Sequence, residues 1–382
     1  MRLLPLSLAV LFGVQLGLAP AVYAQSSGTV VPNENLVIEG IPPISNELAD
    51  KVARYTQFRS ASLASWHPTK KEMLISTRFG DVAQVHRVKF PLGARQQLTF
   101  ATERVSGASF QPTTGDYFVF SKDVGGNEFS QNYRYDLATG NITLLTDGKS
   151  QNSRGIWSAK GDRMLYGSTR RNGKDRDLYI IDPQNPQSDR LVSTNTGGGW
   201  GAFDWSKDGR QAILQESISA NESYLWLLDI TSGVKTRLTP ANQKVSYDGA
   251  FFSKDGRGIY VISDRQSEFH RLAYLDLATQ KYQYLTTNIA GDIEEWDLSE
   301  NGKYLAFTAN EKGIAVLRVL DTKTQQLIKL AKLPVGLVGG LNWHRNSRDL
   351  GFTLASAKST ADVYSINIRT NALDRWTASE TG

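Results

Sequence analysis

Residues 205–239 read WSKDGRQAILQESISANESYLWLLDITSGVKTRLT. The stretch divides into seven parts. Trp205 is an apolar anchor. Ser206-Lys207-Asp208-Gly209 is a tight turn, because Gly after Asp tolerates the positive φ that a hairpin between twisted strands requires. Ala212-Ile213-Leu214 has the composition of a strand. A polar loop leads to a second strand, Tyr224-Leu225-Trp226-Leu227-Leu228-Asp229. Thr231-Ser232-Gly233 turns the chain again, and a short strand closes on Leu238-Thr239.

The same order recurs along the chain. Trp66, Phe110, Trp157, Trp205, Phe252, Leu298 and Trp343 occupy the anchor position at intervals of 44, 47, 48, 47, 46 and 45 residues. Turns such as Lys254-Asp255-Gly256 and Glu300-Asn301-Gly302 repeat the Asp/Asn-Gly signal, and strands such as Tyr117-Phe118-Val119-Phe120 are short and apolar. A period of this length is that of a four-stranded propeller blade. One such sheet buries too little surface to persist alone, whereas radial packing covers both faces of every sheet. The expected fold is all-β: a seven-bladed β-propeller of four-stranded antiparallel blades over residues 59–377, with the anchors between blades. An open solenoid ranks below it because solenoid repeats are shorter.

Residues 1–24 read as a signal peptide. Arg2 precedes the largely apolar stretch Leu3 to Leu18, and Val22-Tyr23-Ala24 offers small residues for cleavage before Gln25. The expected location is secreted or periplasmic, with no stable membrane span after cleavage. Residues 25–58 form an N-terminal segment in which Asn35 to Glu39 suggests a strand. Ser45 suggests the cap of a short helix carrying Leu48, Val52 and Tyr55. Residues 378–382 are a tail. The chain has no cysteine, which excludes disulfides, thiolate metal sites and a cysteine nucleophile. Loss of Arg2 lowers the net charge from +5 to +4, and the charges are interspersed. That pattern offers no basic patch for nucleic acid.

Catalytic signals are sparse. No Gly-x-Ser-x-Gly motif occurs; the nearest stretch, Gly107-Ala108-Ser109-Phe110-Gln111, lies inside a first strand where no nucleophile elbow forms. His67 and His344 follow anchors, at positions where other blades carry Ser158, Ser206 and Ser253, and read as turn residues. His270, in a polar loop, is the one histidine with a plausible ligand role. Glu294-Glu295 precedes Trp296-Asp297-Leu298 in a first strand, where neighbours should point to opposite faces. Gly197-Gly198-Gly199 reads as a flexible connection between blades. No cofactor or metal is expected. Loops between second and third strands emerge on one rim, and loops on a rigid scaffold commonly bind. Asn127, Glu128, Asn221 and Glu222 are the candidate contacts there for a peptide or partner protein.

The turn-strand pattern resembles the repeats of TolB-like proteins. Longer stretches resemble the N-terminal propeller of the prolyl oligopeptidase family of serine peptidases. These are residues 35–43 (NLVIEGIPP), 76–88 (STRFGDVAQVHRV), 123–140 (DVGGNEFSQNYRYDLATG), 219–229 (SANESYLWLLD) and 341–364. The resemblance implies a non-catalytic module that gates or binds peptides for an α/β-hydrolase domain bearing a Ser-Asp-His triad. None of the triad residues maps onto this sequence, so the chain alone is expected to hydrolyse nothing. The alternative is a stand-alone periplasmic interaction propeller of the TolB kind.

Overall fold

The structure is a computed structural model that describes residues 28–34 and 36–381. The signal-peptide reading of residues 1–24 lies outside them. The chain divides into two units, residues 1–57 and 58–382. In the first, a helix spans Asn46–Thr56. Ser45 caps it as expected: its Oγ accepts a hydrogen bond from the Leu48 amide at 3.2 Å. The segment suggested as a strand forms none over residues 36–39; the only pairing nearby is an isolated bridge between Thr29 and Ser45. Among the described residues no strand pairs with that apolar run, and Leu48, Val52 and Tyr55 on the helix are exposed.

The second unit is a seven-bladed β-propeller. Each blade is a sheet whose strands pair antiparallel in chain order. Blade 4 shows the plan, with strands Trp200–Trp205, Gln211–Ser219, Glu222–Asp229 and Lys235–Arg237. The Leu-Thr ending of the sequence repeat has a clear role. The threonine hydroxyls of Thr99, Thr146, Thr239, Thr286 and Thr377 accept the backbone N–H of Val85, Asn132, Leu225, Leu272 and Val363 at 2.9–3.1 Å. Each threonine is buried. It therefore satisfies a third-strand donor where the fourth strand has ended. Blade 6 has no Leu-Thr, and its sheet has only three strands. A single bridge, Leu320 with Leu327, stands in the fourth position.

The anchors hold blade to blade. Six of the seven are buried between sheets, and Trp157 is half-buried. Burial of each contributes roughly 2–3 kcal/mol before the entropy of ordering is counted. Their indole N–H groups add direction. Trp205 donates to the Ile156 carbonyl at 3.3 Å, Trp343 to that of Asp297 at 3.1 Å and Trp157 to Ser109 Oγ at 3.1 Å. In every case the acceptor residue immediately precedes the anchor of the previous blade. Ser109 thus serves structure, as the absence of an elbow implied.

The ring closes without exchanging strands between its termini: blade 1 comes wholly from residues 61–97 and blade 7 from residues 337–375. Closure uses the same anchor contact. Trp66 Nε1 donates to the Asn342 carbonyl at 3.0 Å, and the Trp66 ring meets Trp376 edge-on at 5.3 Å. His67 and His344 are turn residues. Their Nδ1 atoms accept turn amides from Lys70 and Asn346, and His344 Nε2 faces the Lys70 carbonyl at 3.2 Å across the closure.

Replacing Thr239 or Thr286 by Val keeps the shape and removes the acceptor. Each variant is expected to lose about 1–2 kcal/mol in chemical denaturation, the cost of an orphaned buried N–H. Thr324→Val, on an exposed turn of blade 6, should change little.

Candidate functional site

The inter-blade bonds join first strand to first strand, so the first strands ring the axis and wall a central channel. Most first strands carry a β-bulge just before the anchor, as at Leu63/Ser65, Ala202/Asp204 and Gly339/Asn342. A bulge breaks the strict alternation of side chains. Glu294 and Glu295 show the consequence. The bulge between Ile293 and Trp296 leaves both exposed, not on opposite faces. They still do not act as a pair: Glu294 accepts from Asn310 Nδ2 at 2.8 Å, and Glu295 from the Gly340 amide of blade 7 at 3.3 Å.

One end of the channel is closed by turns. A cavity of about 230 Å³ is lined by Pro112, Ala159, Lys207, Lys254, Glu300 and Arg345, among others. Each lies two residues after its anchor, and together they come from six successive blades, which places the cavity on the axis. Arg345 of blade 7 crosses it. Its guanidinium donates to the Pro112 carbonyl of blade 2 and pairs with Glu300 of blade 6 at 3.1 Å. The wall behind holds two carboxylates. Asp204 Oδ2 accepts the Phe252 amide at 2.8 Å, and Asp297 Oδ2 the Trp343 amide at 2.7 Å. Burial pushes Asp204 up to about 6 and Asp297 up to about 7, while Lys254 acts against the shift in both. Both groups therefore take up and release protons near neutrality, while their main-chain bonds give them structural work. The sequence reading missed them. The available signal was the polar residue before the anchor, seen as Ser65, Ser109, Asp204, Asp297 and Asn342.

The other end is open and charged unevenly. Arg104 and Arg154 belong to the wall of blades 2 and 3, whereas Asp248, Glu294 and Glu295 belong to that of blades 5 and 6; all five are exposed. Arg154 is exposed to the channel yet surrounded by protein atoms, and this desolvation lowers its pKa. A guanidinium still keeps its charge. His270 sits between two aspartates, with Nε2 3.0 Å from Asp248 Oδ2 and Nδ1 3.4 Å from Asp292 Oδ1. Among the described residues no cluster of three or more His, Asp or Glu side chains is placed to hold a metal.

The four rim candidates lie on loops of two different blades. Asn127 Oδ1 accepts the Phe129 amide at 3.0 Å, and the Glu128 amide donates to Asp123 Oδ2 at 3.0 Å. Asn221 Oδ1 accepts from Ser219 Oγ at 2.9 Å, and Glu222 accepts from the Tyr224 hydroxyl. These bonds stay within each loop, and none joins the two pairs. Other rim charges also pair locally: Arg171 binds Asp177 at 2.6 Å and Asp175 at 3.2 Å.

Residues 101–379 match the family described as prolyl oligopeptidase, N-terminal beta-propeller domain. The chain belongs to this family. Among solved structures, prolyl oligopeptidase B from Galerina marginata, bound to a 35mer hydrolysis and macrocyclization substrate, superposes with a TM-score of 0.70 at 14% identity. The match covers 87% of this chain and 52% of that one. A puromycin hydrolase gives 0.66 at 16% identity, over 86% of this chain and 54% of that one. An oligogalacturonate lyase in complex with manganese gives 0.63 at 12% identity, over 80% and 90%. At these identities the likeness is one of fold. The chain spans about half the length of the peptidase and puromycin hydrolase chains. No curated protein sequence matches it.

The family propeller's two axial carboxylates set a pH dependence. Their folded pKa values lie above the roughly 3.9 of an unfolded Asp. Their stabilising contribution is therefore full below about pH 4 and lost as pH rises through about 6 and 7. Asp297→Asn keeps the acceptor and removes the titration. Between pH 5 and pH 8, chemical denaturation should show wild type losing roughly 2–3 kcal/mol relative to the variant.

Proposed function

We propose that this ring is the non-catalytic, peptide-admitting module of a serine peptidase of the prolyl oligopeptidase kind. The observation that carries the reading is the channel in a family propeller: Arg345 closes one end, and the other end is open and charged. A channel of this form admits a narrow, extended chain and turns away a folded protein. The sequence contains no Gly-x-Ser-x-Gly motif, so the nucleophile, base and orienting acid would come from a hydrolase domain. The ring's part is selection and positioning. Asn127, Glu128, Asn221 and Glu222 are the proposed rim contacts for peptide or partner. Export, with cleavage after Ala24, completes the proposal.

A second reading is a stand-alone periplasmic interaction propeller. The ring favours it in one respect: closure through Trp66 and Asn342 needs no other domain.

Two measurements check the proposal. Purified chain assayed on chromogenic prolyl peptides should give no turnover above buffer, while binding a short extended peptide by calorimetry. Turnover like that of a complete peptidase, or the absence of peptide binding, would overturn it. N-terminal sequencing of exported protein should begin at Gln25; retention of Met1 would refute the cleavage.

A further inference from the structure

Between blades 1 and 2 the inner wall opens into a cavity of about 180 Å³. Blade 1 contributes Ser62 and Ser76, blade 2 contributes Arg104, Ser106 and Gly107, and blade 3 sends Arg154 across. The lining has two guanidinium groups, three hydroxyls and no carboxylate. Both guanidinium groups are exposed to the channel, and neither has an ion-pair partner among the described residues. Several other arginines of the ring are ion-paired: Arg171 with Asp175 and Asp177, Arg134 with Asp136, Arg375 with Asp362. Glu103, next to Arg104, is engaged by Lys122 at 3.3 Å and the Gly125 amide at 3.3 Å. Arg104 and Arg154 thus face the cavity together with their donor groups unspent.

The backbone is shaped for this arrangement. Gly107 sits at φ +63°, and a Cβ there would come within 3.1 Å of Arg154 Cδ and 3.6 Å of its Nε. The glycine lets the arginine stem lie flat against blade 2 and deliver its head to the cavity. The Ser106 hydroxyl donates to the Ser121 carbonyl at 3.4 Å, but two planar forks beside the Ser62 and Ser76 hydroxyls match the two oxygens of a carboxylate better than a single point charge does. The volume is below the roughly 300 Å³ of a pocket for a whole drug-sized molecule. It suits one end of a ligand.

We infer that Arg104, Arg154 and the serines around them form a carboxylate-binding site in the channel wall, taking the terminal or side-chain carboxylate of a ligand that enters from the open mouth. The ligand is either a peptide or a small free acid. The site stands whether or not the ring serves a peptidase.

The test is calorimetric titration of the full purified chain with N-acetyl-trialanine as its free acid, the same peptide as its amide, and succinate. The free acid should bind and the amide should bind about tenfold more weakly or not at all, the loss of a charge-assisted pair. Succinate binding as tightly as the peptide acid assigns the site to small acids; weaker succinate binding assigns it to peptides. Arg154→Gln and Arg104→Gln should each weaken the acid about tenfold, and the double variant should abolish binding. Arg154→Lys should retain part of the affinity, since charge remains and the fork is lost. Thermal melts of each variant separate lost binding from lost fold, and Arg154→Lys keeps the test open if a Gln variant unfolds. Equal binding of acid and amide, no binding of either acid at millimolar concentration, or a folded double variant with wild-type affinity would each overturn the inference.

Discussion

The contact on which the ring depends is made at the anchor position. An aromatic or leucine side chain fills the gap between sheets, and polar groups at or next to it bond the neighbouring first strand. Asp204 receives the Phe252 amide and Asp297 the Trp343 amide; Ser65 receives the Phe110 amide at 3.2 Å and Asn342 the Trp66 amide at 3.3 Å. The last of these is the closure between blade 7 and blade 1. Burial supplies most of the energy and is non-directional. The hydrogen bonds fix distance and register, so that seven twisted sheets come round to meet. An interior polar bond of this kind is worth little when made and much when broken.

The architecture was legible because it is periodic. Anchor, Asp-Gly turn and Leu-Thr ending recur often enough to fix blade number and strand order, and each proves to have a job. Thr239 caps a third strand, and Ser206 Oγ accepts the Gln211 amide at 2.9 Å within its turn. What broke the pattern was harder to read. Blade 6 lacks both the capping threonine and the fourth strand, whereas blade 3 lacks the threonine and keeps a fourth strand, Asn185–Ser193. The bulges were invisible, so Glu294 and Glu295 were assigned to opposite faces. The run from Leu36 to Glu39 looked like a strand, but β-propensity without a partner strand does not make one.

The site was less legible than the fold because it depends on closure. Arg154, Arg104 and Ser62 lie in three different blades, and only the ring brings them to one cavity. Asp204 and Asp297 are likewise ordinary surface aspartates in sequence, made unusual by burial. The rim loops attracted notice because their charges are clustered in sequence. In three dimensions some of those charges pair within their loop, as Arg171 does with Asp175 and Asp177. A functional reading built on charge also takes in the channel, which has a cationic wall and an acidic one. That asymmetry, a closed turn end and family membership are together consistent with a ring that selects and orients a chain for chemistry performed elsewhere.

The most direct test of this account is a double-mutant cycle across the closure, combining Trp66→Phe with Asn342→Ala and following urea unfolding. If blade 1 is locked to blade 7 by this contact, the two substitutions should show a coupling of about 1 kcal/mol or more. Strictly additive effects would contradict it, and with it the claim that the anchor contacts close the ring.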